Sequence, residues 1–191
     1  MTQDKPPTTK LPPALQYISG YPAELQQKVQ RMLDEQRLGE YLRNKYPEAH
    51  AVANDAALRD YVLALKARYL KQSPPLSKIV YDNHLHVVKH ALGLHTFVSR
   101  VQGDKLKRKN EIRISTLFGK APEALLRMIV VHELAHLKEK DHNKEFYRLC
   151  QYMLSDYHQL EFDARLFLIQ QELQGAAIDP LPTTISERKS P

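Results

Sequence analysis

From Leu125 to Val131 the chain offers almost no polar position. Leu125, Leu126, Met128, Ile129, Val130 and Val131 are interrupted only by Arg127. A helix apolar on most sides belongs in the centre of a fold. The helical period sets in after Gly119 and Pro122 and is predicted to run to about Lys140. Two more helices are predicted behind it. One covers residues 143–154, with Phe146, Leu149, Cys150 and Met153 on a stripe. The other covers 156–173, with Tyr157, Leu160, Ala164 and Phe167 on a stripe. Ahead of the central helix the period changes to two. TFVSRV at 96–101 and EIRIST from Glu111 alternate as the strands of a hairpin, joined by a long basic loop at 102–110. LSKIVYDN, from Leu76, has the composition of a short strand, and DNHLHVVKHALGLH reads as a helix stopped by Gly93. Further upstream one helix is predicted from Pro22 to about Tyr46, with Leu25, Val29, Met32 and Leu33 on its stripe. A second is predicted from Asp55 to Leu70, ended by Ser73, Pro74 and Pro75. A small sheet followed by packed helices is an α+β arrangement.

The pattern fades at both ends. Residues 1–21 form a Pro- and Thr-rich arm, and residues 175–191 read as a polar tail. Between them lie an N-terminal helical region, 22–75, and a domain at 76–174. The helical region either supports that domain or forms a lobe of its own. The chain's 191 residues, 42% of them apolar and 26% charged, suit a soluble globular protein. No apolar stretch fits a signal peptide or a membrane span, because LLRMIVVHELAHL is short and carries charge. The single cysteine, Cys150, excludes an intrachain disulfide and reads as a small core residue. A cytoplasmic setting is expected. The formal charge is +6, and much of it is local: six basic residues stand between Arg100 and Arg113 against Asp104 and Glu111. That segment is either a solvated hairpin tip or a contact for phosphate or nucleic acid.

The chemistry concentrates at VVHELAHLKEKDHNKEF. Positions four apart share a helix face, so His132 and His136 can each offer a ring nitrogen to one cation. Glu133 falls on the neighbouring face, off the metal but within reach of the water the metal activates. A catalytic zinc commonly takes three protein ligands, and His142 is the natural third. It lies ten residues after His132, the spacing of the long H-E-x-x-H-x-x-G-x-x-H motif. A straight helix cannot return it to the same face, so the chain must turn between His136 and His142. The long motif has glycine at that turn, where this chain has Glu139. Asp141 is a candidate for a left-handed turn residue or for the cap of the next helix. Asp156 and Glu161 are alternative third ligands. The expected chemistry is metal-assisted hydrolysis with Glu133 as general base.

These residues resemble those of the YgjP-like metallopeptidase family. Its members show H-E-L-x-H-L, four residues, H-x-x-x-F and later an acidic–Tyr pair. Here these are His132, Glu133, Leu134, His136, Leu137, His142, Phe146, Asp156 and Tyr157. The lead-in IRISTLFGKAPEALLRMIVV is similar too, and the resemblance covers about 76–174. It implies a zincin-like, minigluzincin-type fold, zinc held by His132, His136 and His142, and Glu133 as catalytic base. The helices at 22–75 fall outside it. SprT-like and WLM metalloproteases carry a similar but less specific motif. Relatives often have a Trp-Gly-Ser-Cys segment where this chain has HTFVSRVQGDKLKRKN, and many have Trp at the place of Tyr147.

The leading expectation is a zinc-dependent metallopeptidase acting on a peptide or protein. A second reading keeps the metal and makes the substrate a nucleotide or other phosphoanhydride. A third is a nucleic-acid or protein binding module in which zinc only stabilises the fold. A second metal site at His84, His86 and His90 is a weaker expectation, since no carboxylate completes the set.

Overall fold

The computed structural model describes residues 13–83, 94–102 and 105–176. A 3-10 turn, Pro13–Ile18, leads into α1 (Ala23–Asp34), α2 (Leu38–Lys45) and α3 (Asp55–Tyr69). Three strands follow: β1 (Leu76–Asp82), β2 (Leu94–Gln102) and β3 (Lys105–Ser115). After a second 3-10 turn at Thr116–Lys120 come α4 (Glu123–Ala135), α5 (Lys144–Met153) and α6 (Tyr157–Ala176). The α+β class holds. Among the described residues no helix is long and apolar enough to cross a membrane.

Strand β3 is the middle of the sheet, with β1 parallel on one side and β2 antiparallel on the other. Ile79 of β1 is in register with Ile112, and Tyr81 with Ile114. Ile112 and Ile114 are fully buried and turn the inner face of β3 toward α4. On the alternate positions Arg113 is half-buried and pairs with Asp82 at 3.0 Å and Glu111 at 3.2 Å. The period-two pattern therefore sorts one face to the core and one to charge.

Two local expectations are corrected. The basic run KLKRK is strand, not loop: β2 and β3 pair without a shift from Leu94 opposite Arg113 to Gln102 opposite Lys105. Polar composition hid the strand, because a run of charged residues carries no period-two apolar signal. The stretch from Pro22 to Tyr46 is two helices rather than one. Gln36 takes a left-handed φ of 55°, and the Arg37 and Gln36 N–H groups donate back to the Met32 and Leu33 carbonyls. This is a Schellman closure, normally signalled by glycine. The expected helix at 82–95, the histidines at 84, 86 and 90, residues 1–12 of the expected arm and most of the tail lie largely or wholly outside the described residues. Residues 13–21 correct the reading of a flexible arm: they open with a 3-10 turn whose Leu15 and Ile18 are buried in the core.

The helices at 22–75 share one hydrophobic core with the rest. Val29, Leu38, Leu42, Leu58 and Val62 are buried in the same cluster as the α4 residues. Tyr61 of α3 donates to the Glu123 carboxylate at 2.7 Å, at the start of α4. Between α2 and α6 the fully buried Asp163 accepts from Lys45 and Tyr46, both at 2.6 Å, and from Gln159 at 3.0 Å. Arg165 of α6 donates to the Tyr17 carbonyl at 3.2 Å, which seats the N-terminal 3-10 turn on α6. The Tyr61 bond ties α3 to α4, while the Asp163 and Arg165 bonds fix α6, which packs on α4, the helix that carries the candidate site.

Candidate metal centre

Helix α4 begins at Pro122, whose fixed φ suits a helix start and whose missing N–H costs nothing there. Every residue from Met128 to Ala135 is buried, as its unbroken apolar run predicts. Its last two turns bring His132 and Glu133 into the interior, 6% and 1% exposed. The α-helix ends at Ala135, with His136 as its cap residue, earlier than the expected Lys140. Tightened bonds follow: the Leu137 N–H donates to the Leu134 carbonyl at 3.1 Å and the Lys138 N–H to Ala135 at 3.0 Å. The chain then turns without glycine and without a left-handed residue, so Asp141 does not take that role. Nor does Asp141 cap α5. Asn143 does, its side chain accepting from the Phe146 N–H at 2.8 Å.

The turn returns His142 to the helix end. The ligand-capable atoms of His132, His136 and His142 all lie within 4.8 Å of one another, and the Nε2 atoms of His132 and His142 are 3.1 Å apart. Nitrogens bound to one tetrahedral zinc would stand roughly 3.4 Å apart. The Nδ1 atoms of His132 and His136 are engaged. His136 Nδ1 donates to the Glu139 carbonyl at 2.9 Å, which places the ring proton on Nδ1 and makes Nε2 the acceptor nitrogen. His132 Nδ1 is 2.6 Å from the Tyr157 hydroxyl. Such outer partners fix tautomer and ring orientation in metal-binding histidines. Burial holds all three imidazoles below the usual histidine range, with His132 furthest down because burial is joined by its two neighbouring rings. Neutral rings with inward lone pairs are the donor set a transition-metal ion accepts. The residues therefore fit such an ion.

Phe146 is fully buried, and its ring lies 5.0 Å from His132 and 4.7 Å from both His136 and His142. It is an apolar backing that keeps the three rings from swinging apart. Glu133 has both carboxylate oxygens buried and no hydrogen-bond partner. Burial alone pushes its carboxyl up to about 8. A buried, unpaired carboxylate costs free energy. Its place next to the histidine cluster makes it a proton acceptor waiting for a partner.

The structure brings together the three expected histidines and leaves out the alternatives. Asp156 is exposed and takes a bond from Ser155. Glu161 is buried but pairs with Arg165 at 3.1 Å. Cys150 is fully buried, and burial pushes its thiol up to about 12, so it behaves as the core residue expected. Two residues at the site were not read as such from the sequence, Tyr157 and Phe146. Each was visible as part of a motif and a helical stripe. The hydroxyl that reaches His132 from 25 residues away was not.

Comparison with known proteins places the chain in a family. The YgjP-like, metallopeptidase domain family matches residues 14–163. That range takes in α1 to α3, which the motif resemblance alone had left outside. The UTP pyrophosphatase of Escherichia coli (strain K12) is 58% identical over 159 residues, covering 83% of this chain and 95% of that protein. No solved structure matches.

Proposed function

The chain belongs to the YgjP-like family, and within it we propose a zinc-dependent pyrophosphatase acting on nucleoside triphosphates of the UTP class. The family description and the relative's name together support hydrolysis by a metal-dependent enzyme. The observation that carries the finer reading is the unpartnered, buried Glu133 beside three converging neutral imidazoles. That arrangement suits water attack on an anionic phosphoanhydride as well as on a peptide, and the 58% relative is named for the former.

In this proposal His132, His136 and His142 hold the ion. Bound there, zinc supplies Lewis acidity to a phosphoryl oxygen and lowers the pKa of a water toward about 7. Glu133 would take the proton of the attacking water while the water oxygen bonds to phosphorus. The phosphoanhydride P–O bond breaks and pyrophosphate leaves with its electron pair, giving the nucleoside monophosphate. Tyr157 keeps the His132 ring in place through its bond to Nδ1, and Phe146 keeps bulk water from behind the cluster. Arg165 and Glu161, paired on α6 close enough to shift His142 electrostatically, add a buried charge pair beside the reacting phosphates.

A peptidase is the second reading, favoured by the family's description and by the helix-borne His-Glu-His geometry. One panel decides between them: UTP, the other nucleoside triphosphates, casein and short peptides, each with and without chelator. The expected result is chelator-sensitive release of pyrophosphate from UTP and no peptide cleavage. Cleavage of casein or peptides with UTP left intact would put the peptidase in its place. Phosphate contact through the basic segment from Arg100 to Arg113 is also proposed. Neutralising Lys105, Lys107, Arg108 and Lys109 should then flatten the salt dependence of UTP or DNA binding, and an unchanged slope would reject it.

A further inference from the structure

On the α6 side of the histidine cluster lies a groove that His158 lines and the three clustered histidines do not. The Tyr147 ring lies 6.4 Å from the His142 ring, and His158 lies 5.2 Å from Tyr147, the two rings tilted by 37°. His158 is exposed, so burial of apolar surface does not explain the pairing. The same histidine lines a cavity of about 1280 Å³ between α1, α2 and α6. Tyr21 and Phe162, rings 4.9 Å apart, also line it. Lys28 and Arg31 stand exposed along it, and neither engages a carboxylate among the described residues. The neighbouring cations are taken, Lys45 by Asp163 and Arg37 by Glu35. Rings thus lead from the histidine cluster to a cavity that Lys28 and Arg31 also line. The hydrolytic step uses none of these groups.

We infer that this groove receives the nucleoside end of the substrate, with Tyr147 and His158 as the platform on which the base stacks. The inference rests on the pyrophosphatase reading. A triphosphate held at the imidazoles must send its base in some direction. Tyr147 lies next to His142, and its ring partner His158 lines the cavity. Aromatic side chains stack bases of any kind, because every base has a π-face. A pyrimidine base also carries carbonyl acceptors at its edge, and Lys28 and Arg31 offer only donors. The cavity exceeds the roughly 300–1,000 Å³ common for small-molecule sites, so its volume is sufficient for a nucleoside.

The test uses the full-length, zinc-loaded Glu133→Gln protein and measures equilibrium binding of UMP and of inorganic pyrophosphate separately. Tyr147→Ala and His158→Ala in that background should each weaken UMP about tenfold or more. Pyrophosphate affinity and zinc content should stay as they were. His158 is exposed, so its variant remains informative if Tyr147→Ala folds poorly. Unchanged UMP affinity in both variants, no UMP binding in the parent protein, or a pyrophosphate affinity that falls in step with UMP would overturn the assignment. Turnover of UTP by the unmodified protein is the independent measurement. If UTP is hydrolysed while the variants bind UMP normally, the groove assignment alone fails. If UTP is not hydrolysed at all, the reading beneath it fails.

Discussion

Glu133 and Asp163 are both carboxylates, both deep inside, 1% and 0% exposed. Asp163 is surrounded by donors: Lys45, Tyr46 and Gln159, with the Tyr41 hydroxyl at 3.4 Å. Glu133 has none. A buried carboxylate is tolerated when donors replace its lost water, and is costly when they do not. Asp163 therefore explains itself within the chain. It joins α2 to α6 and needs nothing more. Nothing among the described residues does the same for Glu133, and the proposed function supplies it from outside the chain, as a cation nearby and a water to deprotonate. On that proposal the contrast separates a carboxylate kept for the fold from one kept for chemistry, although burial alone would class them together.

The largest effect that sharpens this contrast is expected for Glu133→Gln. Hydrolytic turnover should fall by about 10²–10⁴-fold, the usual contribution of a general base, while zinc content by elemental analysis stays the same. Stability should move the other way. The folded Glu133 carboxyl titrates near 8 against an ordinary value of 4.5. Its neutral form therefore contributes fully below about pH 4.5, and that contribution is lost as pH rises toward 8. In chelator-treated protein, denaturant melts at pH 5 and pH 8 should show the unmodified chain losing ground to the Gln variant across that window. Reloading zinc should shrink the gap. A variant with full activity, or an equal pH slope in both metal-free proteins, would break the comparison from Glu133's side.

Asp163→Asn breaks it from the other side. The variant keeps its shape but loses the charge that Lys45 and the tyrosine hydroxyls meet. Lys45 is a third exposed and can turn to water, so the loss is that of charge-assisted hydrogen bonds, about 2–3 kcal/mol by urea melts. The kcat for UTP should be unchanged. A loss of activity without loss of stability would mean that Asp163 also belongs to the reaction centre.

Tyr157→Phe sits between these cases, since Tyr157 is fully buried yet bonded to a candidate ligand. Removing the hydroxyl should weaken zinc about 10- to 100-fold in a competition with a chelator of known affinity. Unaltered zinc affinity would reduce its role to packing.

The contrast also marks what the sequence made legible. His132, Glu133 and His136 could be read because their relation is local: four residues of helix set two rings on one face whatever surrounds them. His142 could be read from spacing, but the turn that returns it could not. That turn depends on Asn143 as cap and on the Glu139 carbonyl accepting from His136, where glycine or Asp141 was expected. The α+β order and α3 to α6 followed from period and caps. Asp163 was invisible as an anchor, because its partners on α2 lie 117 to 122 residues away. The strand at 105–109 was hidden by its lysines.

The smallest expected effect concerns the break between α1 and α2, where composition misled outright. Neither glycine nor asparagine marks the left-handed position, yet Gln36 adopts a φ of 55° and completes the Schellman bonds to Met32 and Leu33. A side chain with a Cβ is held there at a cost of roughly 1 kcal/mol, so what imposes the bend is burial on either side of it. Val29 is 2% exposed and Leu38 1%, and one continuous helix could not point both into the core. Gln36→Gly should therefore stabilise the protein by about 1 kcal/mol, offset in part by the extra freedom glycine gives the unfolded chain. Urea melts would read the shift, with turnover unchanged. A loss of stability instead would mean that the Gln36 side chain contributes more than its backbone costs, and that the bend is set locally rather than by the core.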